Sequence, residues 1–222
     1  APKRAGRVWN ATTRHNAVTA VKAATSWARK RGLIASDPII DLEKPTPRRR
    51  EQVLRPEDVR TILAAIPDEA FRDLLTVIWG TGCRPGEITT LTVEHVDLTA
   101  GVIRVRNKIR HVDGAATREV PVVPLVVEIL ARRCRQHGEG LVFRNRRGQA
   151  WTRNAINTRM IRLRRKTGFG PELTPYSLRH LFATDLLARN VNPAVVAALL
   201  GHRGIKTLER YTHVEARREL LR

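Results

Sequence analysis

Apolar residues recur at three- and four-residue spacing through most of the chain, which predicts a mainly α-helical protein. Gly32 ends the first of these segments, and Pro56 and Pro124 stand at the first position of two others, where proline is favoured. Helices are predicted over residues 13–31, 56–66, 68–80, 124–136 and 152–166.

Alternating apolar and polar residues interrupt this helical pattern in the middle of the chain. The alternation is visible in VIRVR and REVPV and predicts three short strands, at Glu94–Leu98, Gly101–Arg106 and Arg118–Val122. The turn NKIRHVDGAAT connects the last two strands. The expected fold class is therefore mainly α with a small three-stranded antiparallel sheet (α+β).

The segment Leu173–Val214 is predicted to contain two helices, a Gly-His turn and a final short helix. The first helix begins with a Thr-Pro pair, and Gly201 ends the second. Tyr176, Arg179 and His180 are expected on one face of the opening turns of the first helix. A helix N-terminus offers free N–H groups and a positive dipole end, so with an arginine added a phosphate is its natural ligand.

The charge balance also favours a phosphate-rich partner. Lys and Arg number 41 against 21 acidic residues, and a net charge of +20 points to nucleic acid. A ribosomal or chromatin-packing protein would carry low-complexity basic tails, whereas 42% of this chain is hydrophobic, which favours a folded domain. In the predicted helix 152–166 the basic residues expected to face DNA phosphates are Arg159, Arg162, Arg165 and Lys166.

Several other classes of protein do not fit the sequence. No apolar run approaches the length of a membrane span, so no membrane association is expected. Cys83 and Cys134 are isolated, which suits a reducing cytoplasm and predicts neither zinc nor another metal. The only methionine is Met160, so the chain is expected to be part of a longer protein.

The motif TGCRPGEITTL at 81–91 allows two interpretations. It fits a turn between two helices in which Arg84 pairs with Glu87 at the surface. It also resembles the first conserved box of the tyrosine recombinases, the phage integrase family, in which this arginine binds the scissile phosphate. The segment 173–214 resembles the second box of that family, whose pattern is H-x-x-R, then G-H, then Y. The matching residues, at the family's intervals, are Arg179, His202 and Tyr211.

Two further positions are assigned through this resemblance. The family has a lysine at the end of the second strand, beside the cleavage site, and Lys108 holds that place. Tyr176 stands where the family usually has histidine. A phenol donates one hydrogen bond but is a poor proton acceptor near neutral pH, so Tyr176 is interpreted as a phosphate contact and the general base is left open. His180 is interpreted as a supporting or core histidine.

The resemblance also implies a domain organisation. Residues 1–38, which end in GLIASDP, are expected to be the C-terminal remnant of a helical core-binding domain. Residues 39–53, rich in proline and arginine, are expected to be a linker, and 54–222 an integrase-type catalytic domain. The expected partner is double-stranded DNA, bound by a homo-tetramer that exchanges C-terminal segments, in the cytoplasm at the nucleoid.

The implied activity is site-specific recombination for a mobile element. Tyr211 would attack the scissile phosphate and keep its bond energy in a 3′-phosphotyrosyl ester, so no cofactor is needed. Arg84 and Arg179 would stabilise the transition state, His202 would donate a hydrogen bond, and Lys108 would protonate the leaving 5′-oxygen. Two alternatives stay open: a type IB topoisomerase-like nicking-closing enzyme, and a catalytically inactive DNA-binding relative, which the phenol at position 176 makes conceivable.

Overall fold

The computed structural model describes residues 9–47, 54–106 and 117–202 of the chain. The chain divides into two compact units, one ending at Glu51 and the other beginning at Gln52. The division falls inside the segment 39–53 that the sequence predicts to be a linker. None of the helices in the described ranges is long and apolar enough to cross a membrane.

The first unit is built on one long helix, α1 (Ala11–Lys30). None of its residues is fully buried. The segment that follows folds back along it: Nδ1 of His15 lies 2.8 Å from the carbonyl oxygen of Pro45, and Nζ of Lys22 donates to the carbonyl of Ile40 at 2.7 Å. The first part of the predicted linker is therefore attached to α1.

The described part of the second unit contains seven helices. They are α2 (Pro56–Ala64), α3 (Glu69–Thr81), α4 (Pro85–Thr89), α5 (Pro124–His137), α6 (Arg153–Thr167), α7 (Pro175–Ala188) and α8 (Pro193–Leu200). Five of them carry proline in their first turn, where its missing N–H leaves no intrahelical hydrogen bond unmade. The predicted helices that fall within the described ranges are confirmed to within a few residues at each end. The final short helix predicted after the Gly-His turn lies outside those ranges.

The predicted sheet is also confirmed, although its first strand is shorter than expected. Strands β1 (Val96–Asp97), β2 (Val102–Arg106) and β3 (Thr117–Pro121) lie in the order β1-β2-β3, and both pairs are antiparallel. A 3-10 turn occupies Val93–His95, where the alternation predicted strand. In the β2–β3 register, Val105 faces Arg118.

Helix α3 lies at the centre of the unit and packs against α7, α4 and α5. Its Leu74, Leu75 and Ile78 are completely buried, together with Leu178 of α7. The C-terminal cap of α3, Gly82, has φ of +62° and approaches α7 so closely that a Cβ there would lie 2.2 Å from Cδ1 of Phe182. Only glycine fits this turn, which delivers the next segment of chain to the surface of α7.

Helix α8 is short and apolar, and it packs on α7 through a second hydrophobic cluster. The cluster comprises Ala183, Leu187, Val196, Ala197 and Leu200. Because α8 is held against α7 in this way, its C-terminal end is fixed beside the turn that follows α3.

Candidate active site

Arg84 is the N-cap residue of α4 and lies directly after the Gly82 turn. Its backbone N–H donates to Oε2 of Glu87 at 2.7 Å and its Nη1 to Oε1 of the same carboxylate at 2.9 Å. Its Nη2 donates to the carbonyl of Gly201 at 3.2 Å. The pairing with Glu87 expected for a simple turn therefore exists, yet 28% of the Arg84 side chain stays exposed. The ion pair and a phosphate-binding role are compatible.

Arg179 is the most deeply buried of the predicted site residues that the structure describes, with 4% exposure. Its Nη1 donates to the carbonyl of Gly82 and its Nη2 to the carbonyl of Leu200, each at 2.7 Å. The guanidinium thus spans the ends of α3 and α8. These two backbone oxygens help to set its position.

His202 contacts Arg179 through Nε2, which lies 3.1 Å from Nη2 of the guanidinium. An arginine can only donate, so Nε2 accepts and the neutral ring carries its proton on Nδ1. Burial and the positive charges of Arg179, Arg84, Arg118 and His180 lower the pKa of His202 to about 4. The ring is therefore neutral at pH 7, and its buried Nδ1 has no hydrogen-bond partner among the described residues.

A residue that the sequence did not single out completes this cluster. Arg118 on β3 binds both oxygens of Glu87, Nη1 to Oε1 at 3.1 Å and Nη2 to Oε2 at 2.8 Å. Its Nε donates to the carbonyl of Leu199 at 3.1 Å. The strand pattern held a signal: Arg118 shares the inward face of β3 with Val120, a position where an unpaired charge is rarely tolerated.

Three arginines therefore end on three consecutive carbonyl groups at the C-terminal end of α8. Arg118 binds the oxygen of Leu199, Arg179 that of Leu200 and Arg84 that of Gly201. The last carbonyls of a helix lack intrahelical partners and carry the negative end of its dipole, so they suit cations. Gly201, with φ of +63°, ends the helix and places His202 next to the same guanidinium groups.

Tyr176 lies at the edge of this cluster and is 52% exposed. It lines a cavity of about 560 Å³ together with Arg84, Glu87 and Thr90. In the opening turns of α7, Arg179 points into the core whereas Tyr176 and His180 are exposed. The predicted single face is therefore wrong, and so is a place for His180 in the core. A supporting role for His180 stays a prediction.

The four basic residues of α6 do not share one environment. Arg159 donates from Nε and Nη2 to Oδ2 of Asp68, both at 3.2 Å, and stacks over the Trp151 ring. Nζ of Lys166 donates to the carbonyl of Ala65 at 2.8 Å. Arg162 and Arg165 are exposed. Two of the four thus make intramolecular contacts, and DNA binding by this helix stays a prediction.

Two predicted site residues, Lys108 and Tyr211, lie outside the ranges that the structure describes. Within those ranges no three histidine, cysteine or carboxylate side chains come together in a way that could hold a metal ion. Cys83 is buried beside the cluster, and burial raises the pKa of its thiol, so it stays protonated at neutral pH.

Comparison with known proteins agrees with this arrangement. The sequence profile of the phage integrase family matches residues 52–218. Tyrosine recombinase XerC of Pseudomonas entomophila strain L48 is 32% identical over 213 residues, which cover 89% of this chain and 68% of that protein. This identity extends over most of both chains.

Solved structures show the same fold. The Tn1549 transposon integrase in complex with circular intermediate DNA superposes with a TM-score of 0.77 at 23% identity, over 96% of this chain and 80% of that one. A lambda integrase tetramer bound to a Holliday junction gives a TM-score of 0.71 at 16% identity, over 87% of this chain and 59% of that one. The mainly helical fold with its three-stranded sheet is thus that of recombinase catalytic domains.

Proposed function

The chain belongs to the phage integrase family, and we propose from this premise that it cuts and rejoins double-stranded DNA through a 3′-phosphotyrosyl intermediate. The enzyme class is that of tyrosine-type site-specific recombinases. One observation carries the proposal for these residues: Arg84, Arg179 and His202, far apart in sequence, meet at the C-terminal end of α8.

In this proposal the two arginines bind the non-bridging oxygens of the scissile phosphate. Arg84 uses one Nη1 and one Nη2 hydrogen bond within the protein, which leaves three of its five donors without a partner among the described residues. Its exposed part faces the cavity that Tyr176 lines. Losing one such donor to a developing charge costs about 2.7–4 kcal/mol of transition-state stabilisation.

His202 contributes a hydrogen bond from Nδ1 to the same phosphate. The ring is held by Arg179 through Nε2, so the proton lies on the nitrogen that has no partner among the described residues. Because its pKa is about 4, the imidazole donates as a neutral group at pH 7. Tyr176 donates a second hydrogen bond from the side of the cavity.

The reacting groups are assigned through the family pattern. The Tyr211 oxygen bonds to phosphorus as the bond to the 5′-oxygen breaks, and Lys108 gives that oxygen its proton. The phenol proton of Tyr211 passes to solvent, since position 176 lacks the imidazole that the family usually has there. Attack by another strand's 5′-hydroxyl reverses these steps and exchanges strands.

The organisation of the protein is proposed on the same basis. Residues 1–38 represent the end of a helical core-binding domain, 39–53 a linker and 54–222 the catalytic domain. The net charge of +20 and the DNA seen with the Tn1549 integrase support duplex DNA as substrate. The lambda integrase tetramer supports a homo-tetramer on DNA. A DNA substrate supports a location in the cytoplasm at the nucleoid.

Covalent trapping tests the proposal. The protein is incubated with a library of nicked duplexes, in which cleavage releases a short fragment and prevents religation, and adducts that resist detergent are recovered and sequenced. We expect adducts on a defined sequence and none with Tyr211→Phe. Adducts without any sequence preference, together with supercoil relaxation, would support the topoisomerase-like alternative. Binding without any adduct would support the inactive relative. None of the proteins compared above favours either.

A further inference from the structure

Arg118 occupies the interior of the cluster rather than its phosphate-facing side. Its side chain is 9% exposed and that of Glu87 8%, whereas that of Arg84 is 28% exposed. The contacts of Arg118 include the Glu87 carboxylate, the Leu199 carbonyl and, at 3.8 Å, Sγ of Cys83. An arginine so placed contacts the groups that hold the site and does not reach a bound phosphate directly.

Glu87 connects Arg118 to Arg84. Its Oε1 accepts from Nη1 of both arginines, and its Oε2 accepts from Nη2 of Arg118 and the backbone N–H of Arg84. Burial alone would raise the pKa of Glu87, but these hydrogen bonds outweigh burial and hold the pKa below its ordinary value. The carboxylate therefore stays charged, and Arg118 fixes the orientation in which it holds Arg84.

Arg118 also packs against the turn that delivers His202. A Cβ on Gly201 would lie 2.8 Å from Nη1 of Arg118, and the φ of +63° at Gly201 also favours glycine. The guanidinium thus lies flat against the turn whose carbonyl group accepts from Arg84. The two contacts, through Glu87 and through the turn, converge on the Arg84 guanidinium.

We propose that Arg118 is a positioning residue for DNA cleavage, which acts through Glu87 and the Leu199–Gly201 turn to hold Arg84 against the scissile phosphate. This inference rests on the proposed function. Without Arg118, the buried carboxylate keeps Arg84 as its remaining charged partner and draws that guanidinium inward. A displacement of about 1 Å in such a group is enough to slow a reaction about 10²-fold.

The test measures single-turnover cleavage by Arg118→Gln of a nicked duplex recovered in the trapping selection. We expect cleavage to be about 10²-fold slower while the dissociation constant for the duplex stays within about twofold. Arg118→Lys keeps the charge but loses the bidentate contact with Glu87, so its cleavage rate should lie between those of Arg118→Gln and the wild type. Arg132→Gln, which removes an arginine paired with Glu69 and Asp73, is the matched control and should cleave normally.

Two modified substrates show how Arg118 acts. A methylphosphonate at the scissile position lacks one anionic oxygen, so it depends less on Arg84, and the defect of Arg118→Gln should shrink to a few-fold. A 5′-bridging sulfur leaves as a thiolate without protonation, so this substrate restores cleavage only to a variant that lacks the general acid. The cleavage defect of Arg118→Gln should therefore persist on it. Rescue by sulfur instead, or an equal defect on all three substrates, would overturn the inference, as would cleavage at the wild-type rate.

Glu87→Gln provides a second measurement should Arg118→Gln fold poorly. It should show the same rescue by methylphosphonate, and adding Arg118→Gln to it should slow cleavage little further, because both changes interrupt one connection. Additive defects would show that Arg118 does not act through Glu87. If the wild type and Arg132→Gln both fail to cleave, the proposed function is at fault, and not the role of Arg118.

Discussion

The position of the proton on His202 gives the sharpest prediction, because the substitutions His202→Asn and His202→Gln should have different cleavage rates. Since Nε2 accepts from Arg179 at 3.1 Å, the hydrogen bond to the phosphate comes from Nδ1. The side-chain amide nitrogen of His202→Asn lies near the place of Nδ1 and can still donate. His202→Gln carries its amide one bond further out, near the place of Nε2, and leaves the Nδ1 position without a donor.

The size of the difference follows from the value of one donor to the transition state. Losing it costs about 2.7–4 kcal/mol, so His202→Gln should cleave about 10²–10³-fold more slowly than the wild type. His202→Asn should stay within about tenfold of the wild type, because it loses only the contact with Arg179, which is also held by two backbone carbonyls.

Single-turnover cleavage of the trapping duplex at pH 7 measures both rates, with the dissociation constant determined separately. His137→Gln, which changes a histidine at the end of α5, is the control and should cleave at the wild-type rate. A His202→Gln enzyme as fast as His202→Asn, or faster, would refute the assignment of the proton to Nδ1.

Three further predictions concern the nucleophile, the general acid and stability. Tyr211→Phe should abolish the covalent adduct, whereas Tyr176→Phe should slow cleavage and Tyr176→His should stay active; phosphotyrosine mapped to the peptide containing Tyr176 would reverse these roles. Lys108→Ala should cleave about 10²–10⁴-fold more slowly, and a 5′-bridging sulfur should restore its rate; no rescue would leave Lys108 as a groove contact. The unfolded chain protonates His202 below about pH 6.5 and the folded protein only near pH 4, so stability should fall as pH drops through this window. The fall should be about 1–2 kcal/mol, reduced by partial exposure, and should be absent from the His202→Asn urea unfolding curves.

Much of the fold was predictable because local signals and packing agree. The helices were located by the prolines that begin them and by the helical spacing of apolar residues. The alternation of apolar and polar residues located β2 and β3. The predicted strand at Glu94–Leu98 was only partly right: its first half forms a 3-10 turn at Val93–His95, where Thr92 Oγ1 bonds the His95 ring and the backbone of His95 bonds that of Thr92. A local side-chain hydrogen bond of this kind competes with strand formation.

The site was predictable only where residues lie in a recognisable motif. Arg84, Arg179 and His202 fall in the two boxes, and the structure brings them together. Arg118 lies in no box, and its contacts with Glu87 and Leu199 depend on how the sheet meets the end of α8. Spacing along the chain carries no information about such contacts, since Arg118 is distant in sequence from both of its partners.

Arg159 has contacts that its position in the sequence did not predict. Its position in a basic helix favoured an exposed, phosphate-facing side chain, but Asp68 and Trp151 bind it from other elements. Helical periodicity identifies which residues share a face, and tertiary packing decides what that face meets.

The three carbonyl groups that hold the arginines have a consequence for the life of the protein in a cell. Arg84 and Gly201 are 117 residues apart, and Arg179 and Gly82 97 residues apart, so no locally folded fragment can assemble the centre. Contacts of this separation form late, together with the rest of the structure. A nascent or partly unfolded chain therefore lacks the assembled centre, and DNA meets a complete recombinase site only once folding has brought these segments together.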